Sequence, residues 1–249
     1  MPLDRPEPAT AADPDEPEDR PALPQFASPQ DAVITSVNWF IEPCWKGVRV
    51  LARVEGGRAT LSDERGEPVE DLEEAAEVIA ASVDAEQAVV DGAWTAMPFV
   101  GEGSAARRWA ETLAEAAEDQ GEAAEDGPPI DPVALEKRRA FVAWDLLELD
   151  GQPLHDIPYQ ERRRLLESVV VEDIRVRITP AVRYPFRRWV AAWHANGFTH
   201  YVAKEANSRY ASGEENDDWL QISAEPERGP SIIGRLFGQR PKKTPFIHD

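Results

Sequence analysis

The sequence predicts an α+β fold, with antiparallel sheets flanked by helices around a cleft. Three observations predict it. Residues 48–66, "VRVLARVEGGRATLSDERG", alternate apolar and polar side chains around a Gly-Gly turn, the pattern of a hairpin. Residues 71–83, "DLEEAAEVIAASV", space Leu72, Ala76, Val78, Ile79 and Val83 as the apolar stripe of a helix. Residues 186–210, "FRRWVAAWHANGFTHYVAKEANSRY", give a helix closed by Asn196-Gly197, a C-cap signal, followed by a strand.

The remaining elements fall in order around these three. Residues 1–28 are dense in Pro, Asp and Glu with few large apolar side chains. They cannot bury enough surface to offset their ordering entropy, so a disordered acidic tail is expected there, followed by one domain over 29–225. "VNWFIEP" (37–43) reads as a strand entering the hairpin, and "AEQAVVDGAWTAMPF" (85–99) as a strand pair or a strand leading into a turn. From Gly101 to Glu136 a helical half is followed by an acidic, Pro-terminated stretch around Glu122 to Asp126, expected to be an inert surface loop. "RRAFVAWDLLELD" (138–150) is a buried strand ending in an Asp-Gly turn. A helix begins at about Pro158 and carries Arg162, Arg163 and Arg164, expected on a solvated face. "DDWLQIS" (217–223) is a last short strand, and 226–249 form a basic tail broken by Gly and Pro.

Composition narrows the function classes. The chain has 249 residues, a formal net charge of −20 and one cysteine. Such a charge opposes long-range attraction to nucleic-acid phosphates, so nucleic acid is expected to bind weakly if at all. One cysteine excludes an intrachain disulfide and a cysteine-rich metal site. His155, His194, His200 and His248 show no metal-ligand spacing, and no metal site is expected. No apolar run is long enough for a membrane span and no secretory signal opens the chain, so the expected location is the cytoplasm, with no membrane partner. In the tail, Arg235, Arg240, Lys242 and Lys243 interleave with Ile232, Ile233, Leu236, Phe237 and Phe246. Three readings stand for it: a disordered end, docking on the chain's own acidic body, or a motif for a protein partner.

Five stretches occur together in order: "EPCWKGVR" (42–49), "VVDG" (89–92), "FVAWDLLELDGQPLHDIPYQERRRLLESV" (141–169), "VAKEANSRY" (202–210) and "DWLQI" (218–222). Over roughly residues 30–223 the chain thereby resembles the nucleotidyltransferase (adenylation) domain of ATP-dependent DNA ligases. In that family a lysine of Lys-x-Asp-Gly-x-Arg attacks the α-phosphate of ATP, acidic side chains hold metal ions, and closing lysines clamp the phosphates.

The resemblance is degenerate where that chemistry lies. Cys44 stands in the nucleophile slot and Lys46 in the aspartate slot. Ala93 and Thr199 replace acidic metal positions, and Gln221 and Ser223 replace the closing lysines. The resemblance implies that nucleotide contacts survive in Glu42 at the adenine, Arg49 at the ribose, Trp144 as stacking aromatic and Lys204 near the phosphate. For Trp144 ordinary packing, and for Lys204 a snorkelling surface position, stand beside those roles. As residues i and i+2 of a strand, Cys44 and Lys46 would share a face, which offers Lys46 as a relocated nucleophile; Cys44 reads as a packed, inert thiol. The expectation is a ligase-like pseudoenzyme linked to DNA repair, with no certain cofactor. AMP or ATP would bind with little or no dependence on magnesium. An active nucleotidyltransferase using Lys46 or partner-supplied groups, and an interaction protein without nucleotide, are the alternatives. With only a short tail after the last strand, no OB-fold domain is expected in this sequence.

Overall fold

The computed structural model describes residues 22–96, 139–225 and 246–247. The helical half and acidic loop expected between Gly101 and Glu136 lie outside the described residues, as does most of the basic tail. Among the described residues no helix is long and apolar enough to cross a membrane.

Two sheets carry the fold. The hairpin forms as expected: β4 (Val48–Glu55) and β5 (Arg58–Ser62) pair antiparallel through Gly56 and Gly57, both at positive φ. β6 (Gln87–Ala96) is one long strand, not a strand pair, and lies antiparallel between β4 and β7 (Arg139–Leu149). The short β8 (Gln152–Pro153) and the parallel β9 (Val176–Ile178) complete this sheet along β7. Its inner face packs against α1 (Glu73–Ser82) and α2 (Tyr159–Val169), burying Val50, Ile79, Val90, Trp94, Phe141 and Leu166. Each such side chain contributes roughly 1.5–3 kcal/mol.

The second sheet runs β1 (Phe26–Pro29), β11 (Glu215–Ser223), β10 (His200–Glu205), β3 (Trp39–Pro43), antiparallel except for β1 against β11. α3 (Arg187–Ala195) covers it with Phe186, Trp193 and Phe198, against Ile41, Tyr201 and Ile222. α3 ends as its sequence signal requires: the Asn196 side-chain amide donates to the Ala192 carbonyl at 2.7 Å, and Gly197 has φ 91°. A third cluster, Leu51, Val89, Leu147, Tyr210 and Trp219, draws residues from both sheets. Residues 44–47 are all that separates β3 in one sheet from β4 in the other.

Two expectations change. The tail boundary expected at residue 28 moves toward the N-terminus, because residues 22–28 are part of the domain. Gln25 is fully buried: its backbone N–H donates to the Tyr210 hydroxyl at 2.9 Å, and its side chain accepts from the Ala211 N–H at 2.9 Å. Hydrogen bonds supplied by the rest of the fold hold this segment, and its own composition gives no sign of them. Arg162 and Arg163 do not lie on a solvated face; they are 0% and 8% exposed, and of the three arginines Arg164 alone is on the outside. At the other end of the chain, Phe246–Ile247 (β12) pairs parallel with Val33–Ile34 (β2).

Candidate nucleotide cleft

β3 and β10 are neighbours, with Val202 opposite Glu42 and Lys204 opposite Phe40. Strand alternation therefore sends Glu42 and Lys204 to the same side, toward the other sheet. Both are buried, at 3% and 1% exposure, so Lys204 is not a snorkelling surface lysine. Its Nζ lies 2.9 Å from Oε2 of Glu42 and donates to the Trp144 carbonyl at 3.3 Å. It also stands 4.1 Å from the Trp219 ring centroid and 4.8 Å from that of Tyr159, a cation over two aromatic faces. The other carboxylate oxygen of Glu42 accepts a hydrogen bond from the Tyr159 hydroxyl and lies 3.8 Å from Nη1 of Arg163. Burial and the neighbouring Glu42 charge push the Tyr159 phenol well above its ordinary range, which keeps it a donor.

Two further ion pairs flank this one, the first fully buried and the second part-buried. Arg162 makes a bidentate pair with Asp145, Nε to Oδ1 at 2.7 Å and Nη2 to Oδ2 at 2.9 Å. Arg49 makes another with Asp91, at 3.1 and 2.7 Å, and its Nη2 also donates to the Gln25 carbonyl at 2.7 Å. Tyr210 donates to the same Asp91 Oδ2 at 2.8 Å. Burial works against the Arg49 charge, but Asp91 outweighs it and holds the guanidinium firmly protonated. The Trp144 ring is half-buried, its centroid 5.4 Å from the Arg49 guanidinium carbon, with Phe26 at 5.5 Å.

The structure sets Glu42 against Lys204 and Arg49 over the Trp144 ring, links the two pairs through the Trp144 carbonyl, and engages Glu42, Arg49 and Lys204 with further protein partners. Sequence reasoning missed the groups around them: Gln25 and Asp91 on Arg49, Tyr159 and Arg163 on Glu42, and Asp145, Arg162 and Tyr210 in the adjoining network. One signal was available. Tyr159, Arg162, Arg163, Leu166 and Val169 follow the spacing of an apolar stripe, so Arg162 and Arg163 occupy core positions of α2.

Cys44 and Lys46, which the resemblance sets at the nucleophile and aspartate positions, are arranged differently from the expectation. β3 ends at Pro43, so Cys44 and Lys46 sit in the link between the sheets and share no strand face. Lys46 is exposed, and Cys44 is half-buried with its Sγ 4.0 Å from the Gln221 side-chain amide. Burial raises the Cys44 thiol, with Arg49 and Lys46 opposing, so it is the reverse of an activated thiol. Ala93 is buried opposite Arg49, while Thr199 and Ser223 are exposed. Among the described residues no group of three or more His, Cys, Asp or Glu side chains is arranged to hold a metal ion.

A family model described as the ATP dependent DNA ligase domain matches residues 21–222. The DNA ligase of Thermococcus onnurineus is 29% identical over 229 residues, 88% of this chain and 39% of that protein. A probable DNA ligase of Nocardia farcinica is 27% identical over 238 residues, 88% of this chain and 44% of that protein. The chain thus spans less than half the length of these curated relatives. Among solved structures, a mycobacterial DNA ligase D complexed with ATP and MES superposes with a TM-score of 0.57 at 23% identity, covering 81% of this chain and 60% of that one. The ligase domain of Mycobacterium tuberculosis LigD gives 0.52 at 22% identity, covering 81% and 59%. These superpositions bear on the α+β fold.

Proposed function

Because the chain belongs to the family of ATP-dependent DNA ligase domains, we propose that it is a member that does not adenylate itself and serves as a binding or regulatory module in DNA repair. One observation supports this reading: Cys44, at the position that the resemblance gives to the attacking lysine, is a thiol raised by burial and set beside Gln221, while the nearby Lys46 lies exposed outside both strands. In-line attack needs reacting atoms within about 3–3.5 Å, and a lysine on an exposed link is not held to that tolerance.

ATP does not fit the residues as they stand. The Glu42 carboxylate already accepts from Tyr159 and Lys204, and the Lys204 ammonium donates to Glu42 and to the Trp144 carbonyl. A nucleotide base or phosphate must displace these partners to reach either group. Any adenine nucleotide therefore binds weakly, and AMP is favoured over ATP, without help from magnesium, for a second reason. The positions implied for metal and outer phosphates are Ala93, Thr199, Gln221 and Ser223, which bring no charge.

The test is incubation with α-labelled ATP and magnesium. No acid-labile, base-stable label appears on the protein under conditions that label an active ligase. A covalent band abolished by Lys46→Ala would instead make the chain a working nucleotidyltransferase. Calorimetry with AMP and ATP, with and without magnesium, separates a retained pocket from an interaction domain that binds no nucleotide.

A further inference from the structure

The longest stretch of this chain without an acidic residue lies within the described fold. From Ile174 to Lys204 there is no Asp or Glu, while six Arg or Lys occur, in a protein whose formal charge is −20. Most of those cations are already engaged. Arg175 pairs with Glu74, Arg177 with Glu172 and Lys204 with Glu42, and Arg183 donates to Gln160 while lying over the Phe40 ring. Arg187 and Arg188, in the first turn of α3, are exposed and have no ion-pair or hydrogen-bonding partner for their side chains among the described residues. Two large aromatic side chains flank them: Tyr184 is 48% exposed and Trp189 50% exposed. These two cations, without a side-chain partner among the described residues, share the first turn of α3 with Trp189 and follow Tyr184 closely, and together they form an exposed surface suited to an acidic chain that also offers flat apolar rings.

We infer that this face of α3 is the docking site of the chain's own N-terminal segment, residues 1–21. That segment holds seven carboxylates, from Asp4 to Asp19, and six prolines between Pro2 and Pro21, so it carries both kinds of group the face lacks. Carboxylates pair with Arg187 and Arg188, and proline rings stack on Trp189 and Tyr184, as Pro-rich peptides do on aromatic grooves. The described domain begins at Ala22, so the tether starts at its surface. About 20 residues reach up to roughly 60 Å when extended, against a radius of gyration of roughly 16–17 Å for a domain of this size. Reach is not limiting, and tethering supplies an effective concentration in the millimolar range. An external polyanion of the same charge pattern must displace this segment first. A nucleic-acid occupant must arrive from solution against the repulsion of the acidic chain, whereas the segment meets the same repulsion but is held close by its tether.

The experiment uses the full chain, 5-fluorotryptophan-labelled, with a nitroxide at Ala12→Cys on a Cys44→Ala background. At low salt the Trp189 fluorine resonance, assigned with Trp189→Phe, is lost to paramagnetic broadening. The resonance of Trp94, buried on β6, stays sharp and reports that the fold is intact. The Trp189 line returns in roughly 0.5 M salt, where exposed charges are screened over a few ångströms, and in Arg187→Glu/Arg188→Glu. Arg187→Gln/Arg188→Gln recovers it partly, which guards against an effect of charge reversal on folding. Three results overturn the inference: a Trp189 line as sharp as that of Trp94 in the unsubstituted face at low salt, broadening that survives both arginine variants, and broadening that fades on dilution, which would place a second copy's segment on the face. A sharp Trp189 line that shifts when a single-stranded oligonucleotide is added would assign the face to nucleic acid and overturn it equally.

Discussion

The Lys204 ammonium and the Glu42 carboxylate meet at 2.9 Å across neighbouring strands, with side chains 2% and 4% exposed. Removing either ion from water costs several kcal/mol, so each charge depends on the other and on the Tyr159 hydroxyl and Trp144 carbonyl around them. Two residues that the family resemblance assigns to opposite ends of a nucleotide thus act here as the polar centre between two sheets.

That dependence sets the first prediction. Lys204→Met leaves Glu42 buried without its counter-charge and destabilises the fold by about 3–5 kcal/mol. Glu42→Gln added to Lys204→Met costs clearly less than the sum of the two single changes, with a coupling of about 0.5–3 kcal/mol in a double-mutant cycle. Urea denaturation of the four proteins measures it. Additive effects would mean that the two charges do not rely on each other.

Neighbouring arginines of α2 separate in the same way. Arg162 is fully buried against Asp145, whereas the Arg164–Glu161 pair is exposed. Arg162→Leu orphans Asp145 and costs about 3–5 kcal/mol, which lowers the thermal midpoint by on the order of 10 °C in a domain of this size. Arg164→Ala leaves the midpoint unchanged. Equal shifts in the two variants would return the arginines to one solvated face.

The contrast between Arg162 and Arg164 also shows what could be read from the sequence. The hairpin, α1, the long β7 and the capped α3 were legible because each is written in local periodicity and turn residues, which need no partner. The resemblance singled out Glu42, Arg49, Trp144 and Lys204 but not the protein partners that engage them. What could not be read is which polar side chains satisfy one another: Asp91 takes Arg49 from a neighbouring strand and Tyr210 from 119 residues away. Gln25 joined the domain although its segment looks like tail, because its hydrogen bonds come from Tyr210, Ala211 and Asn216. Arg162 and Arg163 were misread because composition was weighed above their stripe positions.

Gly92 turns another part of the resemblance into a steric statement. A Cβ there would lie 2.4 Å from the Phe141 ring and 2.6 Å from the Val142 carbonyl oxygen, closer than side chains approach. The glycine of "VVDG" is therefore required by β7 packing, whatever the chemistry of the cleft. Gly92→Ala destabilises by about 1–3 kcal/mol, and Gly92→Ala with Phe141→Leu loses less than the two changes summed. Unaltered stability of Gly92→Ala in urea denaturation would show that β6 and β7 part without cost.

The Cys44 thiol gives a prediction with a definite sign. Burial raises it, and the neighbouring Arg49 and Lys46 charges pull the other way without cancelling that rise. Unfolded cysteine ionises at about 8.5. Below that pH the thiol is neutral in both states and costs nothing. As pH climbs above it the unfolded chain releases its proton first, so stability declines until pH passes the folded midpoint. Alkylation by iodoacetamide, followed against pH, shows a midpoint above about 8.5 in the folded protein and near it in urea. Lys46→Ala moves the folded midpoint further up, since it removes one of the opposing charges. The decline of unfolding free energy in this alkaline window is smaller in Cys44→Ala than in the parent. A folded midpoint below that of the unfolded chain would mark Cys44 as an activated thiolate, and the residue in the nucleophile slot would then have to be read as reactive.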